Sequence, residues 1–67
     1  MVKCNDNFMG FHTFTCDIDD TNLPTATTNA VNGRFASQGD LLIKIDDSNE
    51  TVELYIFSET NGWVKVA

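Results

Sequence analysis

The sequence predicts an all-β protein: a small antiparallel three-stranded meander near residues 41–45, 51–57 and 63–66, preceded by an extended arm or strand near residues 8–18. Three observations carry this expectation. The run Thr51-Val52-Glu53-Leu54-Tyr55-Ile56-Phe57 concentrates β-branched and aromatic side chains, which suit a pleated, half-buried surface. Polar turn segments bracket that run on both sides. Within each run the side chains sort into two alternating sets, the period of a strand.

Taken in order, Phe8, Gly10, His12, Phe14, Cys16 and Ile18 fall on one alternating set and Met9, Phe11, Thr13 and Thr15 on the other. That pattern fits a strand or an extended arm, ended by Asp17-Ile18-Asp19-Asp20-Thr21-Asn22. Residues 23–38 read as loop. Pro24 biases Leu23 toward extended backbone, the Thr/Asn/Ala run has no period, and a short helical turn around residues 26–31 would fit. Asn32-Gly33 marks a tight turn. After Gly39-Asp40 comes the first strand of the meander, Leu41-Leu42-Ile43-Lys44-Ile45. Asp46-Asp47-Ser48-Asn49-Glu50 turns the chain into the second strand. Ser58-Glu59-Thr60-Asn61-Gly62 turns it again, with the Asn-Gly pair that hairpins favour. Trp63-Val64-Lys65-Val66 is the third strand. No internal repeat is visible, and the chain divides into an N-terminal arm, 1–22, and a β module, 23–67.

Alternation assigns the faces of the meander. Leu41, Ile43, Ile45, Val52, Leu54, Ile56, Val64 and Val66 make one side aliphatic, whereas the other mixes charge with Leu42, Tyr55, Phe57 and Trp63. A solvated antiparallel sheet should show a polar outer face. The second face instead has enough aromatic area to form an interface. Tyr55, Phe57, Trp63 and Leu42 are therefore expected at a self-association interface. Phe8, Met9, Phe11, Phe14 and Ile18 are expected to form the docking arm.

Size and charge narrow the function classes. A chain of 67 residues buries only about 60% of the surface its unfolded form exposes,, so disulfides, a metal or an oligomer usually supplement the core. Hydrophobic residues make up 42% of the chain, too many for a disordered tail,. No apolar run reaches the roughly 20 residues that span a bilayer. The first residues lack the apolar stretch of a secretory leader, so a cytosolic origin is expected. Four basic residues against ten acidic ones give a net charge of −6, a field that repels phosphate backbones and anionic membranes. Neither nucleic acid nor membrane is an expected partner. A basic protein surface remains compatible with that field.

The chemistry-bearing residues are few. Cys4 and Cys16 are expected as partly buried thiols, with a Cys4–Cys16 disulfide as the alternative; it would close a short loop and stabilise by about 3 kcal/mol in the chain-entropy model. Cys4, His12 and Cys16 lack the paired short spacings of a zinc site, and Asp17 is a weak fourth ligand. His12 reads instead as a hydrogen-bonded structural residue. Asp46, Ser48 and Glu50 alternate, as do Asp17 and Asp19, but no 12-residue calcium loop with its central glycine is present, and a solvated turn explains them. No cofactor is expected. One histidine on a three-stranded sheet is poor material for a nucleophile, base and orienting group, so no catalysis is expected.

One ordered set of fragments stands out: Leu23-Pro24-Thr25-Ala26, Asn29, Asn32-Gly33-Arg34, Leu54-Tyr55-Ile56-Phe57 and Gly62-Trp63-Val64. This pattern resembles a short β module of bacteriophage structural proteins of the head-fibre, collar and tail-fibre type. It covers residues 23–67, and residues 1–22 have no counterpart in it. The resemblance implies a non-catalytic virion protein, made in the host cytoplasm and homo-oligomeric, with a trimer as the expected order. A chain this short has no room for a long shaft or receptor-binding tip. A capsid-decoration or other accessory role, or the base of a fibre or knob, is therefore expected, with capsid or connector proteins as further partners. Two other classes stay open: a carbohydrate- or receptor-binding module using Trp63 and Tyr55, and an acidic inhibitor of a basic protein.

Overall fold

The computed structural model describes residues 1–6 and 11–67. These residues build one five-stranded sheet whose spatial order follows the chain: β1 (Lys3–Asp6), β2 (His12–Asp17), β3 (Leu41–Asp46), β4 (Thr51–Ser58) and β5 (Gly62–Lys65). The fold is all-β, with no helix among the described residues. The expected meander is present as β3–β5, paired antiparallel throughout. It is three-fifths of a larger mixed sheet, which corrects the three-stranded expectation. β1 pairs antiparallel with β2, and β2 pairs parallel with β3.

That parallel pair has a simple cause. A parallel neighbour requires a crossover connection rather than a hairpin, and residues 18–40 supply it without a helix. Each turn of this crossover uses the chemistry of its residues. Thr25 accepts the N–H groups of Thr27 and Thr28 on its Oγ1, at 3.3 and 2.9 Å. Asn32 and Gly33 both hold positive φ, +52° and +78°, in a two-residue hairpin closed by reciprocal backbone bonds between Val31 and Arg34. That geometry needs left-handed backbone at both central positions, hence Asn-Gly. The helical turn considered for residues 26–31 is replaced by this pair of turns.

The meander's own turns differ from each other. Asp46 closes the β3–β4 loop by accepting from the Asn49 backbone and side-chain amides, and Glu50 takes up positive φ (+54°). In the β4–β5 turn the left-handed residue is Gly62 (φ +79°). The loop has three residues, 59–61, between the paired Ser58 and Gly62, so Asn61-Gly62 does not form the two-residue turn.

The crossover lies over one face of the sheet and closes the core there. Phe14, Cys16 and Leu42 form its centre, with Val2, Cys4, Leu23, Val31, Tyr55 and Trp63 packed around them. Phe57, Ala36 and Pro24 are buried on the same side. Trp63 stands edge-on to Phe57 and Phe14, with ring centroids 5.0 and 5.9 Å away. Its indole Nε1–H donates to the Pro24 carbonyl at 2.9 Å, which pins the crossover to β5.

Candidate interaction surface

The aromatic face is therefore interior within a single chain, and this corrects the expected interface. Leu42 is fully buried and Phe57 is 4% exposed; Tyr55 and Trp63 are half-buried against the same cluster. Leu42, Phe57 and Trp63 belong to the core that residues 23–40 close, with Trp63 held by the Pro24 carbonyl, while Tyr55 packs at its margin beside Glu53 and Lys44. The expected docking arm divides in the same way. Phe14 has no exposed surface and is a core residue of β2. Phe11 and Ile18 are half-buried beside the strand ends. Phe8 and Met9 lie outside the described residues.

The aliphatic face is the open one. Val52 is 66% exposed, Val66 52%, Val64 43%, Ile56 39% and Ile45 36%. The register places them together. Leu41, Ile56 and Val64 make one cross-strand row, and Ile45 sits opposite Val52. Leu41, Ile43 and Leu54 fill the middle, half-buried by these neighbours. From their fractional exposures, the eight side chains present on the order of 500 Å² of aliphatic surface, the upper end of what monomers show,. No charged side chain interrupts this face across β3–β5 among the described residues. Polar residues appear toward β2 and β1, as Thr13, Thr15, Asp17, Lys3 and Asn5, and as Ser58 at the end of β4. Sequence reasoning grouped all eight aliphatic residues on one face but did not single that face out as the open one. Alternation separates two faces but does not say which of them a loop will cover.

A residue that sequence reasoning missed is Asp40. Its carboxylate is 1% exposed and accepts the backbone N–H of His12 on Oδ1 and of Ser37 on Oδ2, both at 2.9 Å. Oδ2 also lies 3.5 Å from His12 Nδ1. The Asp40 main chain joins β4 through the Phe57 N–H, at 2.8 Å. Asp40 thus ties the last turn of the crossover to β2 and β4 at once. The readable signal was the Ser-Gln-Gly-Asp turn: Gly39, at φ +89°, occupies the position where a type II turn needs a left-handed residue.

The remaining candidates separate in space. Cys4 and Cys16 are both thiols, diagonal neighbours on the inner face of β1 and β2. Burial, the leading cause, pushes the Cys16 thiol above its ordinary pKa and keeps it protonated, which makes it inert. His12 is four positions from Cys16 along β2, roughly 13 Å at strand rise, so the two cannot share one ion. The acidic loops meet at one end of the sheet, where residues from Asp17 to Asp20 and from Ile45 to Ser48 line a shallow groove. Their carboxylates have local tasks. Asp46 holds Asn49, while Asp20 accepts the Asp17 N–H and lies 3.0 Å from the Met1 ammonium. No group of three or more His, Cys, Asp or Glu positioned to hold a metal occurs among the described residues.

Also on the inner face, Glu53 accepts the Tyr55 hydroxyl at 2.7 Å and the Lys65 ammonium at 3.1 Å. Those two donors, Tyr55 first, hold the Glu53 carboxyl below its usual range, and the same bond raises the Tyr55 phenol. Lys44 Nζ stands 5.5 Å over the Tyr55 ring. Trp63 and Tyr55, the stacking surfaces a sugar would need, are thereby committed to contacts within the chain. Comparison with protein-family models, curated proteins and solved structures finds no match to this chain.

Proposed function

We propose that this chain is a non-catalytic structural module that works by laying the outer face of its sheet against other protein, as an accessory component of a bacteriophage particle. The observation that carries the packing role is the uncovered aliphatic face of β3–β5, with Val52 two-thirds exposed at its centre edge. Such a face in water is a standing cost that a protein partner removes. The absence of catalysis is part of the proposal. The buried His12–Asp40 pair is spent on joining the crossover to the sheet, which gives it a structural role.

The virion assignment rests on the ordered sequence pattern, and its fragments have one physical task in common. Pro24 offers the carbonyl that Trp63 holds. Asn29, with φ +55°, donates its side-chain amide to the Leu23 carbonyl. Asn32-Gly33 makes the tight hairpin of the crossover. The pattern is thus a recipe for strapping a loop across a small sheet, as suits a spacer or decoration unit.

Density-gradient purification of particles from a lysate of the phage encoding the chain tests this reading. The chain is expected to co-sediment with particles, and Val52→Asp combined with Val64→Asp is expected to leave it in the soluble fraction. Wild-type chain found wholly in the soluble fraction overturns the virion role.

A further inference from the structure

Building on the docking reading above, we infer that the outer face is covered by another copy of this chain, sheet against sheet. Composition is the first reason. Interfaces between unlike proteins are enriched in tyrosine, tryptophan and arginine, whereas interfaces between like subunits are more apolar and resemble a domain core cut in half. Here the aromatic anchors Phe14, Phe57 and Trp63 are consumed inside the chain, and the outer face of β3–β5 is isoleucine, leucine and valine apart from Ser58 and Gly62 at one end. Such a surface has little to read on a foreign partner and is well suited to another surface of its own kind.

Charge is the second reason. A chain of net charge −6 repels its own copies,. The carboxylates, however, cluster around the Asp17–Asp20 and Asp46–Ser48 loops at one end of the sheet, and none interrupts the face over β3–β5 among the described residues. Over β3–β5 two outer faces can therefore meet without opposing like charges, Asp17 and Lys3 on the same face lying outside that patch on β2 and β1.

Area and shape are the third. An aliphatic patch on the order of 500 Å², with the threonine rim of β2 around it, approaches the roughly 800 Å² per partner of a stable interface,. Sheets pack face to face about 10 Å apart through just such branched side chains.

The test is sedimentation equilibrium of the purified full chain, with thermal melts at about 5 and about 500 µM. A mass of two or more chains and a melting temperature that rises with concentration are expected. Val52→Asp and Val64→Asp, on exposed positions, should give a folded monomer by circular dichroism. A half-labelled wild-type sample guards against variants that fail to fold: isotope-filtered nuclear Overhauser contacts are expected between the Val52, Ile56 and Val64 methyls of different copies. A wild-type monomer with a concentration-independent melt overturns the inference, as does an oligomer lacking those contacts. A monomer whose binding to particles is still abolished by Val52→Asp overturns the self-pairing alone. Particle binding indifferent to Val52→Asp and Val64→Asp overturns the docking reading itself.

Discussion

The two faces of this sheet contain similar amounts of apolar material and have opposite fates. The inner face combines large aromatic rings with charged residues and is closed by residues 23–40 of the crossover, a stretch poor in strand formers. The outer face, uniform and aliphatic, is left open. The difference shows what selects the covered side in a small β protein. A crossover carries carbonyls and N–H groups that need partners, and over the inner face they find them: the Trp63 indole N–H donates to the Pro24 carbonyl, and the crossover's own Asp40 carboxylate takes the N–H groups of Ser37 and of His12 in β2. The aliphatic face offers no hydrogen-bonding side chain across β3–β5 apart from Ser58 at the end of β4.

If that contrast is right, matched substitutions on the two faces should behave differently. Phe14→Ala or Leu42→Ala should cost about 2–5 kcal/mol, as much as a core of this size supplies (about 3–5 kcal/mol). The variants should show no folded circular dichroism at room temperature. Val52→Thr on the outer face should stay within about 0.5 kcal/mol for the dilute chain. The reverse ranking in denaturant titrations would break the comparison.

Asp40→Ala should come next, at about 2–4 kcal/mol, since each buried donor left without an acceptor costs about 1–3 kcal/mol and both His12 and Ser37 lose theirs. Amide exchange should then quicken in residues 36–40 and at the start of β2. A variant that exchanges like the wild type would remove Asp40 from the account.

Glu50→Gly should move stability the other way. Glu50 sits at φ +54°, a region that costs a side-chain-bearing residue about 1–2 kcal/mol. Relief of that strain, offset by the greater freedom of glycine when unfolded, leaves an expected gain of about 0.5–1 kcal/mol, read as a raised melting temperature.

The smallest effect is the pH dependence of the Glu53 cluster. Glu53 has a folded pKa below its unfolded one, chiefly through the Tyr55 hydroxyl and then Lys65. Its contribution is present above the ordinary carboxylate pKa and disappears as pH falls through the lowered value. Tyr55→Phe should therefore flatten the acid limb of the stability profile relative to wild type. An unchanged limb would mean that the hydroxyl contributes nothing to it.

The sequence made the meander legible because its strands are rich in β-branched and aromatic residues and its turns are polar; the expected boundaries lie within a residue of those found. β1 was not legible, because Lys3-Cys4-Asn5-Asp6 has weak strand propensity and no apolar alternation. It exists because β2 offers it an edge. The parallel β2–β3 pair was hidden for a related reason: no helical or strand period marks residues 18–40 as a crossover. At the candidate site, the identity of the eight aliphatic residues was readable from alternation, whereas their exposure depends on long-range choices such as Trp63 to Pro24 that no local pattern encodes.

One detail at the end of β5 limits how copies can add to one another. The N–H groups of Val66 and Ala67 both reach the single carbonyl of Leu54, at 2.8 and 3.2 Å, and the Ala67 carbonyl accepts the Leu54 N–H. Two residues opposite one form a bulge, which twists this margin of the ribbon and spoils it as a template. Lys65 beside it, and Lys3 on the other margin, add charge where a foreign strand would have to lie. Lateral zippering of chains into amyloid-like filaments is thereby discouraged even in concentrated solution.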